Sequence, residues 1–426
     1  MIEERLDEQV RDLQPSSTLA INAESKRLIE LGKQVYRFGL GQSPFPVPDQ
    51  VVAALRAHAA EKDYLPVAGL PALREAVAAY HRRVDGLQVE ADGVLIGPGS
   101  KELMFLLQLT FAAELVLPSP CWVSYAPQAG ILGRSVSMLH TSFASRWRLQ
   151  PEQLAAHCRS APKQPRLLIL NYPGNPEGGT YRGDELAALA EVAREHGVIV
   201  LSDEIYAPLD HRGEHISLAR FYPEGTIVSG GLSKWCGAGG WRLGTFVFPP
   251  ALRWLQTAMA AVASETYSAV SAPVQYAAVT AFEGSAEIER YVTASRQVLT
   301  SLGGECTRRL RRAGVRVHDP DGAFYLMLDF GEWTTQLAER GITSSPELCA
   351  RLLQEAGVAL LPGSDFGRAP SELSARLAYV DFDGQAALSH CLQLGEGDGP
   401  AEDFSERFCQ PTIEGIDALC DWLTTT

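Results

Sequence analysis

The chain has 426 residues, 46% hydrophobic and 21% charged, enough apolar side chain for a large core and two or three domains' worth of sequence. Its formal net charge of −14 argues against a nucleic-acid surface, which needs clustered Lys and Arg, and no apolar run is long enough to span a bilayer. The opening segment MIEERLDEQVRDLQPSS is charged throughout and lacks the apolar stretch of a secretory signal, so the chain reads as cytoplasmic. The eight cysteines are scattered without a Cys-x-x-Cys pair, which fits free thiols in a reducing compartment better than a disulfide framework or a zinc site.

In chain order, GVLIGPGS (93–100) reads as a strand entering a Gly-rich turn, followed by a helix with Leu103, Leu106, Leu107 and Phe111 on one face. RLLILNYP (166–173) is a second buried strand, closed by the turn GNPEGG. A helix from Asp184 places Leu186, Leu189, Ala190 and Ala193 together and ends at Gly197. VIVLSDE (198–204) and TIVSGG (226–231) are further strands. Between them, His211 and His215 lie in the polar stretch DHRGEHIS and read as surface residues rather than metal ligands. The strand–helix alternation predicts an α/β fold with a mostly parallel sheet covered by helices. Beyond about residue 300 the pattern predicts a smaller α+β part, with an acidic surface insertion at 394–412 before a last helix, IEGIDALCDWL.

Four features sit at strand ends, where open α/β sheets place ligands. GPGSKE (97–102) offers free backbone N–H groups at a helix start, suited to a phosphate or simply a strand-to-helix turn. Asn175 projects from a turn stiffened by the following proline, which an ordinary Asn-Pro turn also explains. Asp203 ends a buried strand and requires a cation or donor, whether in a site, a salt bridge or a helix cap. Lys234 and Arg242 stand among small and apolar residues in SGGLSKWCGAGGWRLG, where a lysine of lowered pKa is an imine-forming nucleophile. A phosphate cradle, a neutral donor, a buried carboxylate, a lysine and an arginine together meet the needs of one cofactor, pyridoxal 5′-phosphate (PLP).

At these residues the chain resembles the class I/II aminotransferases, the fold-type I PLP enzymes, and most of all their aspartate-aminotransferase-like branch. Matching stretches run in order: PSSTLAINAESKRL (15–28), LGQSPFPVP (40–48), YLPVAGLPALREAVAAY (64–80), PSPCWVSY (118–125), NYPGNP, SDEIY (202–206), GLSK-x(5)-GWRLG (231–244), GAFYL (322–326) and LLPGSDFG…RLAY (360–379). The resemblance implies a large PLP-binding domain over 48–300, and a small domain formed by 1–47 with 301–426. It implies that Lys234 holds PLP as an imine and then moves the substrate proton, that Asp203 pairs with the pyridine nitrogen, and that Tyr206 and Asn175 bond the phenolic oxygen. Arg242, Ser233 and the backbone of Gly99, Ser100 and Lys101 are implied for the phosphate, and Trp122 for the ring face. Arg376 is implied for the substrate α-carboxylate, with Gly41, Asn175 and Trp122 bordering the substrate. Tyr64 is implied to reach the phosphate of a partner subunit in a homodimer.

Two departures stand out. Gly231 occupies a position where many relatives carry a phosphate-binding Ser or Thr, so either Ser229 or Ser233 substitutes or the phosphate has one hydroxyl donor fewer. The turn reads NPEG where NPTG is usual. The activity implied is ping-pong transamination of aspartate, an aromatic or another neutral amino acid with a 2-oxo acid. A PLP-dependent carbon–sulfur β-lyase shares the same cofactor residues. A PLP-sensing regulatory module is disfavoured because only about fifteen mostly polar residues precede the matching region.

Overall fold

The computed structural model describes residues 5–395 and 398–425. Seven strands form the central sheet: β1 (Val94–Gly97), β2 (Glu114–Ser119), β3 (Val136–His140), β4 (Arg166–Asn171), β5 (Ile199–Asp203), β6 (Thr226–Gly231) and β7 (Gly244–Val247). Their spatial order is β1-β7-β6-β5-β4-β2-β3. All pairings are parallel except those of β7, which runs antiparallel to both β1 and β6. The inner strands are apolar nearly throughout because helices cover both faces. Leu103, Leu106 and Leu107 of helix Ser100–Thr110 are buried, and so are Leu186, Leu189, Ala190 and Ala193 of helix Gly183–Glu195. Gly197 follows the second of these helices at φ +62°, as expected of its C-terminal signal.

Parallel pairing brings the C-terminal ends of β4, β5 and β6 to one edge. Asn171 lies opposite Asp203, and Asp203 opposite Ser229. The remaining sheets are small. Tyr36–Arg37 pairs in parallel with Val358–Ala359, so the N-terminal segment joins the C-terminal part of the chain. Tyr325–Asp329, Ser374–Ala378 and Leu361–Pro362 form an antiparallel sheet with Ser374–Ala378 in the centre. The loop ahead of Tyr325 docks on the turn after β4: Asp321 and Gly322 donate backbone N–H bonds of 2.8 and 3.0 Å to the Gly178 carbonyl. Gly178 has φ +69°, and a Cβ there would meet the Tyr325 carbonyl at 2.5 Å, so only glycine permits this approach. That contact carries Tyr325 and Arg376 to the edge where β4–β6 end.

Two sequence expectations need correction. Residues 394–412 are not merely a surface insertion. Glu396 and Gly397 lie outside the described residues, but Phe404 and Cys409 are buried, and His390 stacks on Phe408 at 4.6 Å. The last helix accordingly starts earlier, at Gln410. The two histidines are also not surface residues. The His215 side chain is 6% exposed and meets Glu204 at 2.9 Å, and the His211 ring lies 3.1 and 3.2 Å from the Pro320 and Ala323 carbonyls. Among the described residues no cluster could hold a metal ion, and no helix is long and apolar enough to cross a membrane.

Candidate active site

Asp203 ends β5 and is 3% exposed. Tyr125 donates its hydroxyl to Oδ2 at 2.5 Å, while Oδ1 is buried with no partner. Burial pushes the carboxyl up to about 6, against the Tyr125 hydrogen bond and weaker help from the Ile205 N–H, the Ser229 hydroxyl and Lys234, which favour the charged form. A carboxylate this far from water with one oxygen unmatched calls for a donor from the cavity side.

Lys234 leaves β6 just beyond Gly231. Its ammonium donates to the Gly41 carbonyl at 2.7 Å and lies 5.5 Å from the centre of the Tyr206 ring. Burial, then the positive Arg376, lowers its pKa to about 8; Asp203 opposes the shift. Gly231 has φ +149°, and a Cβ there would meet the Leu243 carbonyl at 2.7 Å, so no hydroxyl side chain fits. Of the two suggested substitutes, Ser233 lines the cavity, while Ser229 is fully buried and does not.

At the far end, helix Ser100–Thr110 begins after Gly99 with no side chain capping its N–H groups. Arg242, held in the left-handed region at φ 56°, lies against that helix start: a Cβ on Gly99 would sit 2.1 Å from Arg242 Nη2. Gly244 is equally constrained, since its Cβ would meet the Ser100 nitrogen at 2.2 Å. Uncapped N–H groups, a positive helix end and a guanidinium converge at this point. Lys101 adds an ammonium 5.1 Å from the centre of the Trp122 ring, its pKa lowered by burial and then by Arg242.

On the opposite wall, Arg376 is 1% exposed. It donates to Asn175 Oδ1 at 3.3 Å and to the Gly39 carbonyl, leaving Nε without a partner. The Tyr206 and Tyr325 hydroxyls share a hydrogen bond of 2.7 Å. Gly41 must be glycine, because a Cβ would fall 1.9 Å from the Tyr325 oxygen.

These groups surround one cavity of about 550 Å³. Gly41, Ser100, Lys101, Trp122, Asn175, Asp203, Tyr206, Ser233, Lys234 and Arg242 line it. Gly99 supports its anion end and Arg376 stands behind Asn175. Tyr64 is not brought to the cavity of its own chain and is 93% exposed. Sequence reasoning missed three contributors. Asn171 accepts the Asn175 N–H and donates to the Asp203 carbonyl, both at 2.8 Å. Tyr125 was visible at the end of PSPCWVSY with no role given to it. Tyr325 was visible as part of GAFYL, without a role.

The aminotransferase class I and II family matches residues 26–381, and the chain belongs to that family. It is a PLP-dependent aminotransferase of fold type I. Aspartate aminotransferase of Geobacillus stearothermophilus is 34% identical over 88% of this chain and 94% of its own length. Aspartate/prephenate aminotransferase of Thermus thermophilus is 32% identical over 85% of this chain and 91% of its own. The solved structure of Thermus thermophilus aspartate aminotransferase with maleate superposes with a TM-score of 0.82 at 30% identity, covering 92% of this chain and 98% of that one.

The residues present suit PLP: the unmatched Asp203 oxygen, the uncapped helix start beside Arg242 and the lysine of lowered pKa each answer one part of that cofactor. Only the neutral amine attacks an aldehyde, and the fraction neutral grows as pH rises through the lysine's pKa. Capture of PLP by cofactor-free protein should therefore accelerate with pH and level off above about 8, instead of climbing toward an ordinary lysine's value. Stopped-flow absorbance across pH 6–11 checks this; a rate still climbing steeply above about pH 9.5 would place the Lys234 pKa elsewhere.

Proposed function

We propose that the enzyme transfers the amino group of aspartate, or a similar dicarboxylic amino acid, to a 2-oxo acid in a ping-pong exchange. The observation that carries this is Lys101: its ammonium opens into the same cavity as the Arg376 region and, among the described residues, has no ion-pair or hydrogen-bond partner. A substrate with two carboxylates needs two separate cations, and a planar arginine fork is the better match for the α-carboxylate. The relatives named for aspartate, and the dicarboxylate maleate in the Thermus structure, support the same reading.

When bound, PLP supplies an aldehyde for the amino group and a ring that withdraws electrons from the substrate Cα. Around it, Asp203 keeps a proton on the pyridine nitrogen, its unmatched Oδ1 accepting that bond. Asn175 and Tyr206 hydrogen-bond the phenolic oxygen. Arg242, Ser233 and the N–H groups following Gly99 hold the phosphate, and Trp122 covers one face. Lys234 would hold the cofactor through its aldehyde carbon and, once its amine is free, would be the group placed to take the proton from the substrate Cα and return it two bonds away, across the nitrogen. Arg376 gives up its contacts with Gly39 and Asn175 to grip the α-carboxylate beside Gly41. Its Nε, now without a partner, is available for that fork.

We further infer a homodimer in which Tyr64 reaches the phosphate of the neighbouring subunit. Its 93% exposure on its own chain supports that reading. The division into 48–300 and 1–47 with 301–426 rests on the separate sheets of the two parts. A cytoplasmic location accords with eight free cysteines.

Lys101→Gln should lower kcat/KM for aspartate by about ten- to a hundred-fold, the cost of one charge-assisted contact, and leave alanine nearly unaffected. Equal losses on both amino acids would remove Lys101 from distal-carboxylate recognition. Sedimentation equilibrium should return twice the chain mass; a monomer at micromolar concentration would contradict the shared site.

A further inference from the structure

A second cavity, of about 250 Å³, lies between helix Pro71–Val84 and the first turns of helix Ala286–Arg312, and shares no lining residue with the active-site cavity. Helical spacing builds its walls. Tyr80, Arg83 and Val84 fall on one face of the first helix, and Ile288, Val292 and Arg296 on one face of the second. Trp235 and Pro208 complete the lining.

Its chemistry is uneven. Trp235, Ile288, Val292 and Val84 make an apolar body, while two guanidiniums supply charge. Arg296 donates Nε to the Pro208 carbonyl at 2.7 Å, and Arg83 donates to the Phe282 carbonyl at 3.3 Å. Among the described residues neither makes an ion pair, with Glu289, which also lines the cavity, or with any other carboxylate. Burial lowers the Arg296 pKa, and Asp210, the carboxylate acting on it, is engaged by the backbone N–H groups of Arg212 and Glu214. A desolvated cation whose one acting carboxylate is already engaged by backbone N–H groups, facing a cavity with apolar walls, suits an anion that carries an apolar group.

We propose that this cavity is a second ligand site, for a small carboxylate with an aromatic or branched aliphatic body. The guanidiniums of Arg296 and Arg83 take the carboxylate, and Trp235, Ile288 and Val292 take the body. Its occupant acts on catalysis by position: Trp235 follows Lys234 directly, and Pro208 lies two residues after Tyr206. The site is independent of which amino acid is the substrate.

The test uses the holoenzyme with 3-phenylpropionate and 4-methylpentanoate, which carry no amino or oxo group to react. Calorimetric titration should show binding of at least one of them. That binding should weaken about ten- to a hundred-fold in Arg296→Gln, the loss of one charge-assisted contact, and be blocked in Ile288→Trp, with turnover in the absence of probe unchanged. Arg83→Gln, at an exposed position, gives the same reading should either of those variants fail to fold. In steady-state kinetics the bound probe should change kcat in the wild type and leave it unchanged in Arg296→Gln. Binding of neither probe, binding indifferent to the Arg296 and Arg83 substitutions, purely competitive inhibition against the amino acid, or equal binding of inorganic phosphate would each overturn the proposal.

Discussion

The site is organised around a carboxylate that the fold has removed from water without fully satisfying. Asp203 is nearly inaccessible, with Oδ2 bonded to Tyr125 and no hydrogen bond of good geometry at Oδ1, although the Ile205 N–H and the Ser229 hydroxyl lie close enough to favour its charged form. Its depth follows from where β5 lies, between β4 and β6 in the middle of the sheet, and its direction from the edge at which the parallel strands end. Asn171 opposite it ties down the backbone on one side, and the Ser229 register does so on the other. An unpaired buried carboxylate is unfavourable unless something positive arrives, so the protein is built to be completed by a ring that offers an N–H.

The second constraint is a concentration of positive charge in a chain whose formal net charge is −14. Lys234, Arg242 and Lys101 line one cavity, with Arg376 just behind Asn175. Burial first, and then their mutual repulsion, lowers the lysine pKa values. The same repulsion draws in anions: a phosphate at the helix start and carboxylates at the other two positions. Lys234 gains most, because a lysine whose pKa is lowered to about 8 has a far larger neutral fraction near that pH than an ordinary lysine, and the neutral amine serves both to capture an aldehyde and to move a proton. Glycines set how closely the parts approach. Gly41 lets Tyr325 reach toward Tyr206, and Gly99 admits the Arg242 guanidinium to the helix start.

Much of this was legible in the sequence because it lies where one kind of pattern stops. β4, β5 and β6 are apolar runs that end at Asn171, Asp203 and the glycines before Lys234, and a polar residue closing a buried strand is conspicuous. The α/β class followed from the same alternation. Less visible were β2, β3 and β7. β3 is an edge strand of mixed burial, and β7 is short, with a direction set by its neighbours rather than by its own residues. Tyr125 is one aromatic in PSPCWVSY, and nothing local in the sequence announces the carboxylate at its hydroxyl. Tyr325 meets Tyr206 across 119 residues, a pairing that no local pattern encodes. His215 and residues 394–412 misled for a common reason: polar composition suggests solvent, yet Glu204 gives the histidine a buried partner, and Phe404 anchors the acidic segment.

The central claim is that the unmatched Asp203 oxygen keeps the cofactor's pyridine nitrogen protonated. The direct measurement is the nitrogen-15 chemical shift of that atom in holoenzyme reconstituted with labelled PLP, compared with Asp203→Asn. The account predicts a pyridinium shift in the wild type near neutral pH and a neutral-pyridine shift in the variant. A neutral-pyridine shift in the wild type would contradict it.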